Sequence, residues 1–337
     1  MFLQTDYFNR QVASEDNTGY NVVPYGFFTY RHMSDDLTFY FNLNEIVEKG
    51  IVSTLYPVFT TSSDLNSHFL RAYLNYSKRF ASYCVLQKQG GSRTYMYFKK
   101  LCAHIAVIPS YKEQNKLATF IDLIDRRIKL QEELIETFKK YKRGVLKAIL
   151  EQRLKLKQID GSEYPRWESY TLSKIAECLD RLRVPITSNE RIKGIYPYYG
   201  ANGIQDYVTD YIFDGEFVLL AEDGGHFNDF ATESIAQYVS GKIWVNNHAH
   251  ILKAKCNTHF LYYSLVHKDI RNYINNPSRG KLNQEDMQGI VIDLPSMEEQ
   301  ERIVQVMLIL DKSIEAKVDA LNQLIDLKKG ALQQLFI

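Results

Sequence analysis

The chain has 337 residues, a formal net charge of +1, 45% hydrophobic and 24% charged residues, a length and balance that fit two or three globular domains. Near-neutral charge excludes a global positive field as the basis of nucleic-acid binding, while leaving room for a local patch. The four cysteines (Cys84, Cys102, Cys178, Cys256) form no Cys-x-x-Cys pair and no apolar run reaches membrane-spanning length, which excludes a zinc ribbon, a disulfide framework and a membrane helix and makes the expected location the reducing cytoplasm. From the N-terminus, residues 1–108 are rich in Tyr, Phe, Val, Asn and Gly in short apolar runs. They are expected to form a mixed α/β globule.

Residues 109–160 are expected to form a long helix and a linker. No proline occurs between Pro109 and Pro165, as a helix interior requires. Leu117, Ile121, Ile124, Ile128, Ile135, Phe138, Val145 and Ile149 fall on alternating steps of four and three, with Gln131 and Lys142 completing the series. That period is a coiled-coil seam, about 33 residues or roughly 50 Å long at 1.5 Å per residue. The helix is expected to run on through Glu151 and break near Asp160-Gly161.

Residues 161–293 are expected to form a second mixed α/β globule. Phe217-Val218-Leu219-Leu220 and Ile243-Trp244-Val245 read as strands; Asp214-Gly215 and Asp223-Gly224-Gly225 read as turns. Residues 294–337 then repeat the helix, with a seam of Ile303, Met307, Leu310, Ile314, Leu321, Leu324, Ala331 and Leu335 interrupted at Lys317 and Lys328.

The repeat is explicit. Ile108-Pro109-Ser110-Tyr111-Lys112-Glu113-Gln114 returns as Leu294-Pro295-Ser296-Met297-Glu298-Glu299-Gln300, an offset of 186 residues. In that register Asp125/Asp311, Ile128/Ile314, Lys142/Lys328, Gly144/Gly330 and Leu146/Leu332 are identical. Both copies place Ser-x-x-Glu, a capping-box sequence, directly after a proline. The globules repeat as well: Asn66-Ser67-His68-Phe69-Leu70 returns as Asn257-Thr258-His259-Phe260-Leu261, and Ser92-Arg93 as Ser278-Arg279. Ninety residues separate Trp167 from Asn257, whereas sixty-five precede Asn66. The front of the first globule is therefore expected to be missing.

Enzymatic readings find little purchase, so no catalytic residue is assigned. A Gly-x-x-x-x-Gly-Lys-Ser/Thr phosphate loop is absent, and Asn276-Pro277-Ser278 is not the Pro-Pro-aromatic motif of an adenine methyltransferase. His248-Ala249-His250 puts two imidazoles on one strand face without an identifiable third ligand, so a structural strand is preferred to a metal site.

Taken together, the repeated Pro-Ser-x-x-Glu-Gln helix start, the ending Leu327-Lys328-Lys329-Gly330-Ala331-Leu332-Gln333-Gln334-Leu335-Phe336 and the segment Gly194-Ile195-Tyr196-Pro197-Tyr198-Tyr199-Gly200-Ala201-Asn202-Gly203-Ile204 resemble the specificity subunits of type I DNA restriction–modification systems. The resemblance implies two mixed α/β target-recognition domains joined by two long antiparallel helices in a coiled coil. It further implies a non-catalytic subunit that reads a bipartite double-stranded DNA target. Two modification (methyltransferase) subunits would dock on the helices, joined by restriction subunits acting as ATP-dependent translocase and nuclease. S-adenosylmethionine, ATP and Mg are expected in those partners, with no cofactor and no metal held by this chain. A shortened first domain implies an alternative, a one-domain reader or a dimerising assembly scaffold.

DNA reading needs phosphate contacts for position and base-edge contacts for specificity. Asn276, Ser278, Arg279, Lys281 and Asn283 supply suitable donors in one turn-like segment, with Ser92 and Arg93 as the counterpart in the first globule. Tyr199 and Asn202 are candidates for sugar and base contact, and Arg181 and Arg183 for phosphate. The loop segments have a plainer reading, a solvated loop whose Arg bridges a local carboxylate, and Tyr199 and Asn202 have one as a packed strand corner. The basic run Lys139 to Lys157 usually marks a solvated helix face.

Overall fold

The computed structural model describes residues 3, 16–88, 93–274 and 280–336. The chain divides into two compact units, Met1–Glu136 with Ala316–Ile337, and Thr137–Glu315. Mixed helix and sheet is the fold class expected from the sequence. Among the described residues, no helix is long and apolar enough to cross a membrane.

In the first unit, strands are short: β1 (Asn21–Pro24), β2 (Phe28–Thr29), β3 (Met33–Ser34), β4 (Asn42–Leu43), β5 (Lys49–Val52), β6 (Val58–Phe59) and β7 (Thr94–Tyr95). They pair as β1-β5, β4-β2-β6 and β3-β7, all antiparallel. Ladders of two residues contribute few hydrogen bonds, so aromatic packing holds this unit. Tyr30 stacks on Phe41 at 4.6 Å between centroids and Phe28 on Phe59 at 4.9 Å. Helices α1 (Ser67–Tyr76), α2 (Lys78–Leu86) and α3 (Phe98–Cys102) close the core. Phe69 and Tyr73 of α1 pack with Ala118 and Ile121 of the long helix α4 (Tyr111–Leu150) and with Leu332 and Phe336 near the C-terminus.

The second unit is a fuller sheet. Its strands are β8 (Glu168–Thr171), β9 (Ala176–Cys178), β10 (Lys193–Gly200), β11 (Gly203–Val208), β12 (Phe213–Ala221), β13 (Ala236–Val245), β14 (Ala249–Ala254) and β15 (Val291–Leu294), with helices α5 (Leu172–Ile175), α6 (Thr258–Leu265), α7 (Gln284–Gln288) and α8 (Met297–Leu335). Six strands form one sheet in the order β11-β10-β13-β12-β14-β9, while β15 pairs β8. The apolar run in β12 is continuous because both faces are covered, as buried strands require. Val218 and Leu220 face one core cluster, Phe217 and Leu219 the other. α6 is likewise two-sided: Leu261 and Leu265 lie against the sheet, Phe260 and Tyr263 against Leu146, Ile149, Ile303 and Met307 of the long helices. Gly194 permits a close approach, since a Cβ there would lie 2.2 Å from the Val208 carbonyl oxygen at the β10–β11 bulge.

The long helices pair antiparallel within each unit. Asp125 meets Lys328 at 2.6 Å and Gln131 Nε2 donates to the Lys317 carbonyl at 2.8 Å in the first; Lys142 bonds Asp311 in the second. The expected seam positions Leu117, Ile121, Ile124, Ile128, Ile135, Phe138, Ile303, Met307, Leu310, Ile314, Leu321 and Leu324 are all buried or half-buried.

Three local expectations change. Asp214-Gly215 is no turn but part of β12, opposite Lys242 and Gly241. α4 ends at Leu150 rather than near Gly161. Gln152 adopts φ 54°, its N–H donates to Ile149 O, and Arg153 N–H donates to Ala148 O, the paired bonds that close a helix through one left-handed residue. The two capping boxes also diverge. Glu113 accepts from Ser110 N–H at 3.0 Å, but the buried Glu299 carboxylate accepts from Trp167 Nε1 at 2.9 Å instead, and burial pushes it up despite that bond.

One bond pattern is kept in both copies. Gln114 Oε1 accepts from Asn66 N–H at 2.8 Å and its Nε2 donates to Pro109 O at 3.0 Å. Gln300 Oε1 accepts from Asn257 N–H at 3.0 Å and its Nε2 donates to Pro295 O at 2.8 Å. Asn66 and Asn257 in turn cap α1 and α6 through Phe69 and Phe260 N–H. Gln300→Ala leaves a half-buried N–H and a buried carbonyl unmet and is expected to cost about 2–3 kcal/mol. Urea unfolding with an unchanged slope reads this; a loss near zero contradicts it.

Candidate nucleic-acid interface

In the first unit, Arg93 lies beside β7, and its Nε donates to Asp35 at 2.8 Å with both side chains about half exposed. The plainer reading, an arginine bridging a local carboxylate, describes this geometry. Ser92 lies outside the described residues. An aromatic row missed by sequence reasoning flanks Arg93: His32 stacks on Tyr97 at 5.1 Å and Tyr97 on Tyr95 at 5.7 Å. The alternation Tyr95-Met96-Tyr97 around buried Met96 was the available signal.

In the second unit, Asn276, Ser278 and Arg279 lie outside the described residues. Lys281 follows them, its backbone bridged to Asp223 and its half-exposed Nζ 3.3 Å from Glu222. Asn283 precedes α7 without capping it through its side chain; its Nδ2 sits 3.4 Å from Asp286. Arg181 is exposed and makes no ion pair among the described residues. It lines a groove with Glu177, Lys255 and Gln284. Asn202 is exposed and donates to Gly224 O at 2.9 Å.

Two expected contacts turn inward. Tyr199 is half-buried against the cluster around Phe213 and Val245, and burial pushes its hydroxyl up. Arg183 is committed to a buried ionic group. Its Nη1 reaches Glu222 and the Ala249 carbonyl, each at 2.8 Å, and its Nη2 lies 3.3 Å from Asp180. The phosphate contact therefore gives way to a structural role: Asp180 is three residues away, but Glu222 and the Ala249 carbonyl come from distant segments that spacing does not reveal. Lys142, within the basic run, is likewise spent on Asp311.

His250 completes the ionic group at 1% exposure: Nδ1 lies 2.5 Å from Asp180 and Nε2 2.9 Å from the Leu282 carbonyl. Leu282 N–H donates to Glu222 O, so this group anchors the segment carrying Lys281 and Asn283. Cys178, Asp180 and His250 place donor atoms within 4.8 Å of one another. Burial pushes the Cys178 thiol up to about 12, which disfavours the thiolate a metal needs, and Asp180 and His250 already bond each other. Burial raises Asp180, but the His250 bond and charge, the Ile251 N–H and Arg183 together hold it below the ordinary 3.8.

A depressed carboxylate stabilises the fold above its ordinary value, and that contribution disappears as pH falls through the folded value. Asp180→Ala also strands Arg183 and His250. The expected loss is about 3 kcal/mol at pH 7, narrowing below pH ~4 as the wild type loses the same interaction. A gap in urea midpoint that stays constant from pH 7 to 3 contradicts this assignment.

Residues 165–325 match the type I restriction modification DNA specificity domain. A putative type I restriction enzyme specificity subunit from Haemophilus influenzae is 39% identical over 153 residues, 45% of this chain. The matched part spans 38% of that relative's length. A putative type I specificity subunit from Mycoplasma pneumoniae is 26% identical over 231 residues, 66% of this chain and 81% of that protein. Among solved structures, the type I restriction-modification S subunit from M. genitalium matches with a TM-score of 0.58 at 16% identity, over 94% of this chain and 84% of that one. A structure described as the basis of complex assembly and conformational transition of the type I R-M system gives 0.60 at 15%, over 94% and 82%. These two likenesses concern the fold.

Proposed function

We propose that this chain, which belongs to the type I restriction–modification specificity family, reads a bipartite DNA target and scaffolds the modification and restriction subunits. The observation that carries the reading is where the family match falls. Residues 165–325 take in the six-stranded sheet, α6 and most of the helix that Gln300 ties to it. The matched segment is thus a folded globule with its own helical mount. Exposed Arg181 and half-exposed Lys281 supply positive charge for phosphates, and the neighbouring polar side chains supply base contacts.

The mount also has an outward side. Leu123 and Ile309 are repeat-equivalent and 60% and 66% exposed; Tyr141 and Leu327 are repeat-equivalent and 60% and 55% exposed. Large apolar side chains duplicated at matching exposed positions fit two copies of one partner, the role we assign to the modification subunits. Methyl transfer from S-adenosylmethionine and ATP-driven, Mg-dependent cleavage then reside in the partners.

Two measurements test this reading. The pure chain is expected to transfer no label from S-adenosylmethionine to DNA; turnover overturns the non-catalytic assignment. Arg181→Ala is expected to weaken binding to all sequences about equally and to lower the salt slope of log K by ~1, the signature of one lost phosphate contact. An unchanged slope removes Arg181 from the interface.

A further inference from the structure

One polar network in the second unit is held more firmly than a solvated surface needs. Asn246, only 3% exposed, donates from Nδ2 to Gln205 Oε1 at 3.1 Å and accepts at Oδ1 from His248 N–H at 2.8 Å. Its own N–H donates to Tyr199 O at 3.0 Å. His248 Nδ1 bonds the Asp223 carboxylate. Gln205 and His248 are exposed and line one cleft with Asn202, Ile204 and Gly224. A Cβ on Gly200 would fall 2.2 Å from Gln205 Nε2, so the glycine leaves room for that amide to lie over the strand. Burying an amide is costly unless its bonds are met. Asn246 uses both ends of its side chain to orient the segments that carry two exposed side chains.

The bonding fixes what those side chains can offer. Gln205 Oε1 is taken by Asn246, so its Nε2 presents N–H donors, with no hydrogen-bond partner among the described residues. An ionised carboxylate only accepts, so Nδ1 of His248 carries a proton, and in the neutral tautomer that this bond selects Nε2 is an acceptor. The cleft therefore carries a donor and an acceptor. In the major groove only adenine pairs an acceptor, N7, with an adjacent amino donor, N6, on a single base. Guanine offers two acceptors, and thymine an acceptor beside a methyl group.

Resting on the DNA-recognition reading above, we infer that this cleft reads one adenine of the target, Gln205 donating to N7 and His248 accepting from N6. Asn246 and Asp223 are positioning residues.

The test selects preferred sites from a randomised duplex library with the full chain in its complex with the modification subunits. Wild type is expected to require adenine at one position of one half-site. His248→Phe and Gln205→Met, both at exposed positions, are each expected to reduce discrimination there on the order of tenfold, with other positions and the salt slope unchanged. Base analogues assign the two bonds. Replacing that adenine with 7-deazaadenine weakens wild type but not Gln205→Met, and replacing it with purine, which lacks the amino group, weakens wild type but not His248→Phe. Retained adenine preference in both variants overturns the inference, as does a uniform loss of affinity with an unchanged preferred sequence. A wild-type complex that enriches no sequence overturns the DNA-recognition reading itself.

Discussion

The glutamine that follows each capping box is the constraint on which the rest of each unit depends. A primary amide carries both acceptor and donors, so Gln114 and Gln300 can each satisfy a backbone N–H and a backbone carbonyl from two different segments. Glutamate could accept but not donate, and leucine could do neither. Each glutamine joins the proline before its long helix to the asparagine that begins a globule helix. That asparagine then caps the same globule helix. The apolar layer built on Phe69 or Phe260 supplies most of the stabilisation, on the order of 2–3 kcal/mol for each fully buried ring. Apolar packing tolerates sliding, whereas these directional bonds do not, so the amides set where the globule sits on its helix.

Local patterns were legible in the sequence, and distant pairings were not. The heptad seam could be read because its period is a property of neighbouring residues, and every seam position named above is buried or half-buried. The apolar run Phe217–Leu220 could be read as a strand for the same reason. Both halves of the glutamine bracket were visible as repeated motifs, yet the partners are 48 and 43 residues apart, beyond what periodicity conveys. Arg183 looked like a phosphate ligand because Asp180, three residues before it, is only one of its partners, and the others, Glu222 and Ala249, lie 39 and 66 residues away. Asp214-Gly215 has turn composition without a turn, since Gly215 sits opposite Gly241 in a paired strand. The cleft at Gln205 escaped because its organiser, Asn246, is buried and carries no motif.

The direction of helix pairing follows from the repeat once charges are placed on it. Asp125 and Asp311 are equivalent, as are Lys142 and Lys328. Parallel pairing in register would set aspartate against aspartate and lysine against lysine. Antiparallel pairing sets Asp125 against Lys328 and Lys142 against Asp311. These partly buried pairs contribute less than apolar seam residues would, but they penalise a slipped register. They also touch the globules: Lys142 lies 5.3 Å from the Tyr263 ring centroid, whose hydroxyl donates to Asp311 at 2.6 Å, and Lys328 lies 5.1 Å from that of Tyr76. Tyr263 belongs to α6 and Tyr76 to α1, the helices held by the glutamine bracket. The residues that set the helix register therefore also contact the globule seat in each unit. A one-turn slip of one long helix against the other would break the ion pairs and the tyrosine contacts together, so helix register and globule placement change as one.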